Sequence, residues 1–213
     1  MALTITVTQL KGGAGKTTVA AHLAAEAIRR GLSVGIIDAD PQGSLKFWAR
    51  AREERLGELD CAFADGAGYR LSAEARALGR SCDLVIIDTP PHADTAVRAA
   101  LRHADLALCP LQPSPLDLAA TLPLARMIGQ SGQAALFLFN RTPPRARIAD
   151  LIQAEFKATG LPTAQTRLGQ RAAFSEALLT GRGACELAPS SPAAREVAAL
   201  FDEACAEELA AAA

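Results

Sequence analysis

The chain has almost no net charge: 22 Lys and Arg stand against 23 Asp and Glu. So balanced a protein has no overall field to draw it to nucleic acid or anionic lipid, and any basic surface must be local. No apolar run reaches the roughly 20 residues that a membrane-spanning helix needs. Cysteine is sparse and dispersed. Cys61, Cys82, Cys109, Cys185 and Cys205 form no C-x-x-C pair, which excludes a zinc signature and a disulfide framework and fits a reducing cytoplasm. The three histidines, His22, His92 and His103, lack metal-ligand spacing and read as packing or surface residues. The N-terminus runs straight into a strand-like segment, so no signal peptide is expected. With no internal repeat and no Gly/Ser/Pro-rich linker, residues 1–213 are expected to form one domain.

What is present is a regular alternation. Strand-like apolar runs cover Leu3–Gln9, Ser33–Asp38, Leu84–Asp88, Leu106–Pro110 and Ala134–Asn140, with a weaker one near Pro162–Arg167. Helical patterns lie between and after them: Lys16–Arg30, Ser44–Leu56, Ala73–Gly79, Thr95–His103, Leu116–Gly129, Ile148–Gly160, Gln170–Thr180 and Pro192–Leu209. Asp60–Ser72 is less regular and reads as a short strand with a loop. Near-continuous apolar strands alternating with helices predict an α/β fold, a mostly parallel twisted sheet with helices on both faces. Such sheets bind ligands at the carboxyl ends of their strands.

The chemistry-bearing residues fall at those ends. Residues 10 to 18 read Leu-Lys-Gly-Gly-Ala-Gly-Lys-Thr-Thr, directly after the first strand and at the start of a helix. Gly12, Gly13 and Gly15, with Ala14 between, let successive backbone N–H groups turn inward around a phosphate, and the helix N-terminus adds its partial positive charge. Lys16 would reach the β- and γ-phosphates and the Thr17 hydroxyl a Mg²⁺ ion, with Thr18 alongside. Asp38 and Asp40 follow the second strand, and Asp88 ends the run Leu84-Val85-Ile86-Ile87. A buried strand that delivers a carboxylate in this way suits Mg²⁺, although Asp, Pro and Gly after a strand also make plain turns. Pro90-Pro91 then forces an extended exit.

The loop departs from the general pattern, which wants Gly where Leu10 stands. As Lys-Gly-Gly-x-Gly-Lys-Thr it is complete, and in this form, together with Asp-x-Asp-Pro-Gln at 38–42, it resembles the ParA/MinD family of deviant-loop P-loop ATPases. The resemblance spans the chain and is specific in the first three motifs. It implies ATP and Mg²⁺ as ligands, with Lys11 reaching the nucleotide of a second subunit in an ATP-bound homodimer. It implies Lys11, Lys16 and Asp40 as catalytic residues, Asp40 orienting water. Thr17, Asp40 and Asp88 would hold the metal, and Asp38 would support the loop. Asn140 would meet the adenine, with Arg167 and Leu168 framing the ring, though Asn after a strand is also a common turn residue. No Asn-Lys-x-Asp guanine signature is present.

Family members bind DNA without sequence preference through basic residues of the C-terminal half. Here the expected contacts are Arg145, Arg147 and Arg171, against the alternative of scattered solvated arginines. The last helix is acidic, with Arg195 facing Glu196, Asp202, Glu203, Glu207 and Glu208, which argues against membrane recruitment by a basic amphipathic helix. The resemblance thus implies a slow, partner-stimulated ATP switch that positions a plasmid, a chromosome, a carboxysome or a chemoreceptor cluster through a cargo-bound adaptor, in a bacterial cytoplasm at the nucleoid. The alternatives are a metabolic P-loop enzyme of the dethiobiotin synthetase type and a nucleotide-dependent scaffold that does not use DNA. An iron–sulfur carrier would need bridging cysteine motifs that are missing.

Overall fold

The computed structural model describes residues 2–144 and 147–212, leaving aside the side chains of 148 and 206–212. Seven strands form one sheet: β1 (Leu3–Val7), β2 (Val34–Asp38), β3 (Ala62–Asp65), β4 (Leu84–Asp88), β5 (Leu106–Leu111), β6 (Ala134–Thr142) and β7 (Thr163–Gly169). Their order is β3-β2-β4-β1-β5-β6-β7, and every pairing is parallel. β1, β2 and β4 are buried along their whole length, as strands covered on both faces must be. That explains the apolar runs of β2 and β4 up to their terminal Asp, whereas in β1 the small polar Thr4 and Thr6 are buried as well.

Nine α-helices and a 3-10 turn (Gly68–Arg70) complete the chain among the described residues: α1 (Lys16–Arg29), α2 (Ser44–Leu56), α3 (Leu71–Leu78), α4 (Asp94–Leu101), α5 (Pro115–Ser131), α6 (Arg147–Ala158), α7 (Ala172–Leu179), α8 (Ala184–Leu187) and α9 (Pro192–Ala212). Local chemistry starts α5: Ser114 caps it by accepting from the Asp117 N–H, and Pro115 opens the first turn, where a missing N–H costs nothing. The short strand expected within 60–72 is β3, a four-residue edge strand, mostly exposed, so it carries no apolar run. One element was not legible as regular structure. α8 is a single turn, closed by Glu186 accepting from the Gly183 N–H at 2.7 Å.

One apolar core packs α1, α2, α7, α8 and α9 on one face of the sheet, and two further clusters lie under α3–α4 and α5–α6. α2 is anchored by a buried cation. Arg52, 1% exposed, pairs with Asp60 and Glu186 and donates to the Gly181 carbonyl, which satisfies a charge that would otherwise be costly to bury. Trp48 is buried beside it, and its indole N–H donates to Arg182 O.

The acidic helix α9 does something the charge count did not predict. Glu203 accepts from the N–H groups of Gln165 and Thr166, and Glu196 from the N–H of Gly169. These carboxylates cover the free edge of β7, the edge most open to unwanted pairing. Among the described residues no helix is long and apolar enough to cross a membrane.

Candidate functional site

β1 sits mid-sheet, and the loop that leaves it crosses the carboxyl ends of its neighbours β4 and β5. Gly13 and Gly15 have φ of 77° and 92°, which only glycine adopts freely. Gly15 directly precedes α1 and provides no side-chain cap, so the first-turn N–H groups are left to serve an anion. A second constraint acts at the same residue. A Cβ on Gly15 would lie 2.3 Å from Asn140 Nδ2. Lys16 opens α1 and is only 7% exposed. Burial lowers its pKa, while the charges of Asp88 and Asp40 oppose that shift.

Register brings the carboxylates together. Asp88 is the lateral partner of Val7 on one side and of Asp38 on the other. Thr17 Oγ1 donates to Asp88 Oδ2 at 2.6 Å. Asp88 Oδ1 is buried and has no partner among the described residues. Burial pushes the pKa of Asp88 up to about 7; the Thr17 hydrogen bond and Lys16 oppose this, and the charges of Asp38 and Asp40 add to it. A hydroxyl beside a carboxylate with a spare oxygen, next to a phosphate cradle, fits Mg²⁺. No group of three or more His, Cys, Asp or Glu forms a metal cage among the described residues. Mg²⁺ commonly uses one or two carboxylates plus phosphates and water.

Asp38 accepts from the N–H groups of Asp40 (3.1 Å) and Lys46 (2.9 Å), which holds the turn leading into α2. Asp40 accepts from the Gln42 N–H at 2.9 Å. Its side chain faces a cleft of about 360 Å³ shared with Gly13, Lys16, Thr17 and Phe47.

Lys11 is engaged within its own subunit. Its Nζ lies 2.7 Å from Oδ2 of the buried Asp117, which also accepts from Ser114 Oγ. Gln112 Nε2 donates to Gly13 O. The start of α5 therefore holds the loop, and Lys11 must leave Asp117 before it can reach anything across an interface.

A second cleft of about 490 Å³ adjoins the first and is lined by Thr18, Asn140, Arg141, residues 169–172, Phe174 and Ser175. Asn140 lines it, and its amide is occupied within the protein: Nδ2 donates to Ala14 O at 2.8 Å, and Oδ1 accepts from the Arg141 N–H. Arg167 is not brought to the cleft. It pairs with Asp150 at 2.7 Å, Leu168 is buried, and the wall begins at Gly169. Sequence reasoning missed Arg141, Gln170 and Phe174 as lining residues. It also missed His92, which at φ 53° donates its N–H to Leu10 O. No local motif marks any of them.

The predicted basic surface is only partly free. Arg171 is bound to Glu196, with its Nε 3.0 Å from Oε1. Arg147 is exposed on α6. Arg145 lies outside the described residues.

Comparison with known proteins agrees with this geometry. The family described as "CobQ/CobB/MinD/ParA nucleotide binding domain" matches residues 5–184. Maintenance of carboxysome distribution protein A of Halothiobacillus neapolitanus is 31% identical over 210 residues, covering 95% of this chain and 96% of that protein. Protein ParA of Rhizobium radiobacter is 28% identical over 179 residues, or 80% of each chain. The fold matches that of the septum site-determining protein MinD of Pyrococcus horikoshii, solved with Mg-ADP, at a TM-score of 0.79 and 20% identity, covering 99% of this chain and 98% of that one. With the phosphate loop, the paired strand-end carboxylates and the all-parallel sheet in place, the chain belongs to the ParA/MinD-type P-loop ATPases of the CobQ/CobB/MinD/ParA nucleotide-binding family.

Proposed function

We propose that the protein is an ATP-driven switch that dimerises with ATP, binds DNA without sequence preference as that dimer, and positions a cargo through a stimulating adaptor protein. The observation that carries this reading is the joint placement of Lys16, Thr17, Asp40 and Asp88 around one phosphate cradle, with a second lysine, Lys11, at its rim. The likeness to a carboxysome-distribution protein over nearly the whole of both chains favours a protein organelle as cargo over a plasmid.

In this reading the loop N–H groups and Lys16 bind the β- and γ-phosphates. Thr17 Oγ1 and the spare oxygen of Asp88 would hold Mg²⁺, which supplies charge neutralisation on the transferring phosphoryl group. Asp40 orients the attacking water. Lys11 exchanges Asp117 for the γ-phosphate bound in a second copy, so dimerisation and the loss of an internal ion pair are one event. Catalysis is then mostly positioning and charge stabilisation, and turnover is slow until the adaptor arrives.

Retention on nonspecific DNA, measured with ATP, ADP or no nucleotide at two salt concentrations, tests this reading. Binding that needs ATP and weakens with salt is expected, because phosphate contacts release counterions. Asp40→Ala should hold the protein on DNA by blocking hydrolysis. Absence of binding in every state would remove DNA from the proposal, and normal ATP turnover by Asp40→Ala would remove the assigned role of Asp40.

A further inference from the structure

Arg141 stands at the junction of the two clefts. It and Thr18 are the two residues that line both the cleft proposed to hold the base and the phosphate cleft. Its backbone is unusual. At φ 53° it occupies the left-handed region, where glycine or asparagine is the low-cost choice and a long side chain is rare. The β6–β7 register shifts between Phe139 and Thr142, so position 141 lies in an irregularity of the ladder, a device that re-aims side chains.

The strained residue is locked in place from both sides. Its N–H donates to Asn140 Oδ1, and the same Asn140 amide donates to Ala14 O within the phosphate loop, both at 2.8 Å. The orientation of residue 141 is thereby referenced to the cradle itself. Arg141 is exposed, and no carboxylate pairs with it among the described residues, whereas Arg167 and Arg171 on the neighbouring strand and helix start are both paired. A fixed backbone and an unneutralised guanidinium beside a cleft make a site for an anionic ligand.

We infer that Arg141 is a nucleotide-binding residue that grips the α-phosphate of ATP or ADP where the base cleft meets the phosphate cleft. This rests on the proposed nucleotide site. A nucleoside triphosphate with its β- and γ-phosphates in the cradle and its base between Asn140 and residues 169–175 must pass its α-phosphate through that junction. There a guanidinium forms charge-assisted hydrogen bonds. Asn140 acts through Arg141 as well as beside the base: it sets the turn from which the arginine projects.

The test uses Arg141→Gly, which suits the backbone and removes the guanidinium, alongside Arg141→Lys, which keeps a charge. Binding of fluorescent ATP and ADP derivatives is measured by titration and thermal stability in parallel. Arg141→Gly should melt no lower than the wild type yet bind both nucleotides about tenfold more weakly, with Arg141→Lys intermediate. Wild-type affinity in the Gly variant, or a loss confined to ATP, would overturn the inference, as would intact nucleotide binding with impaired retention on DNA. A wild-type protein that bound neither nucleotide would overturn the proposed function together with it.

Discussion

The two halves of the nucleotide cleft are built in different ways. The phosphate half is one contiguous stretch, 11–18, with Asp38, Asp40 and Asp88 brought to it by the register of fully buried strands. The half proposed to hold the base is assembled from Asn140, Arg141, 169–172, Phe174 and Ser175, and meets the loop through the Asn140 side-chain amide. The first is set by local backbone chemistry and the second by tertiary contacts. Removing a phosphate-half residue should therefore abolish binding, while changes in the base half should be graded.

The largest effect is expected from Lys16→Ala. It removes the buried cation of the cradle and leaves Asp88 and Asp40 without their compensating charge. Nucleotide affinity should fall about a hundredfold or more, as read by calorimetric titration. A loss of less than tenfold would make the two halves comparable and break the contrast.

Gly15→Ala tests how the halves are joined. The new Cβ meets both a left-handed φ and Asn140 Nδ2, so a stability loss of about 2–3 kcal/mol is expected from urea unfolding without nucleotide. Adding Asn140→Ala should return about 1 kcal/mol of it, leaving the backbone term. Strict additivity in the double-mutant cycle would show that the halves do not touch at this point.

This coupling marks the limit of what sequence reading can deliver. That Lys11 to Thr18, Asp40 and Asp88 come together at one end of the sheet was legible because they sit at the carboxyl ends of predicted parallel strands. The order and ends of the apolar strands were legible because strands buried on both faces admit little else. Edge strand β3 was legible only as a short strand somewhere within 60–72, since its residues are half-solvated. The cleft wall was placed at Arg167, whereas it runs from Gly169 to Ser175. Where a strand ends and which side chain turns inward depend on partners such as Asp150 and Glu196, far away in sequence. Likewise nothing local showed that Lys11 meets Asp117, 106 positions later.

His22 offers a smaller, pH-readable handle on the base half. Its Nδ1 accepts from the Ala184 N–H at 3.0 Å, and its Nε2 lies 3.1 Å from Phe174 O. The ring is thus neutral, with its proton on Nε2, and it ties α1 to the helix behind the base cleft. Burial drives its pKa down to about 4. A folded-state pKa below the unfolded value means that the stabilisation is complete above about 6.5 and is lost as pH falls toward 4. Between pH 7 and pH 5 His22 alone should contribute a loss of about 2 kcal/mol, opposed by the raised Asp88, and His22→Gln should remove that contribution, read as the difference between the two proteins' pH profiles. An unchanged slope in the variant would assign the titration to other groups.

The smallest expected change concerns the arginines of the base half as DNA contacts. Arg171 is engaged by Glu196, which also accepts from the Gly169 N–H, so its charge is neutralised within the protein. Exposed pairs of this kind contribute about 0.2–1 kcal/mol, and Glu196→Gln should lower stability by no more than that. It should also free one cation at the surface and raise retention on nonspecific DNA about two- to threefold at low salt, with a steeper salt dependence. Arg171→Ala, in contrast, should leave retention near the wild-type level, because the pair it breaks was not available to phosphate. If Arg171→Ala abolished DNA binding while Glu196→Gln left it unchanged, the ion pair would have to open in the DNA-binding form. The base half would then carry a conformational change as well as a binding surface.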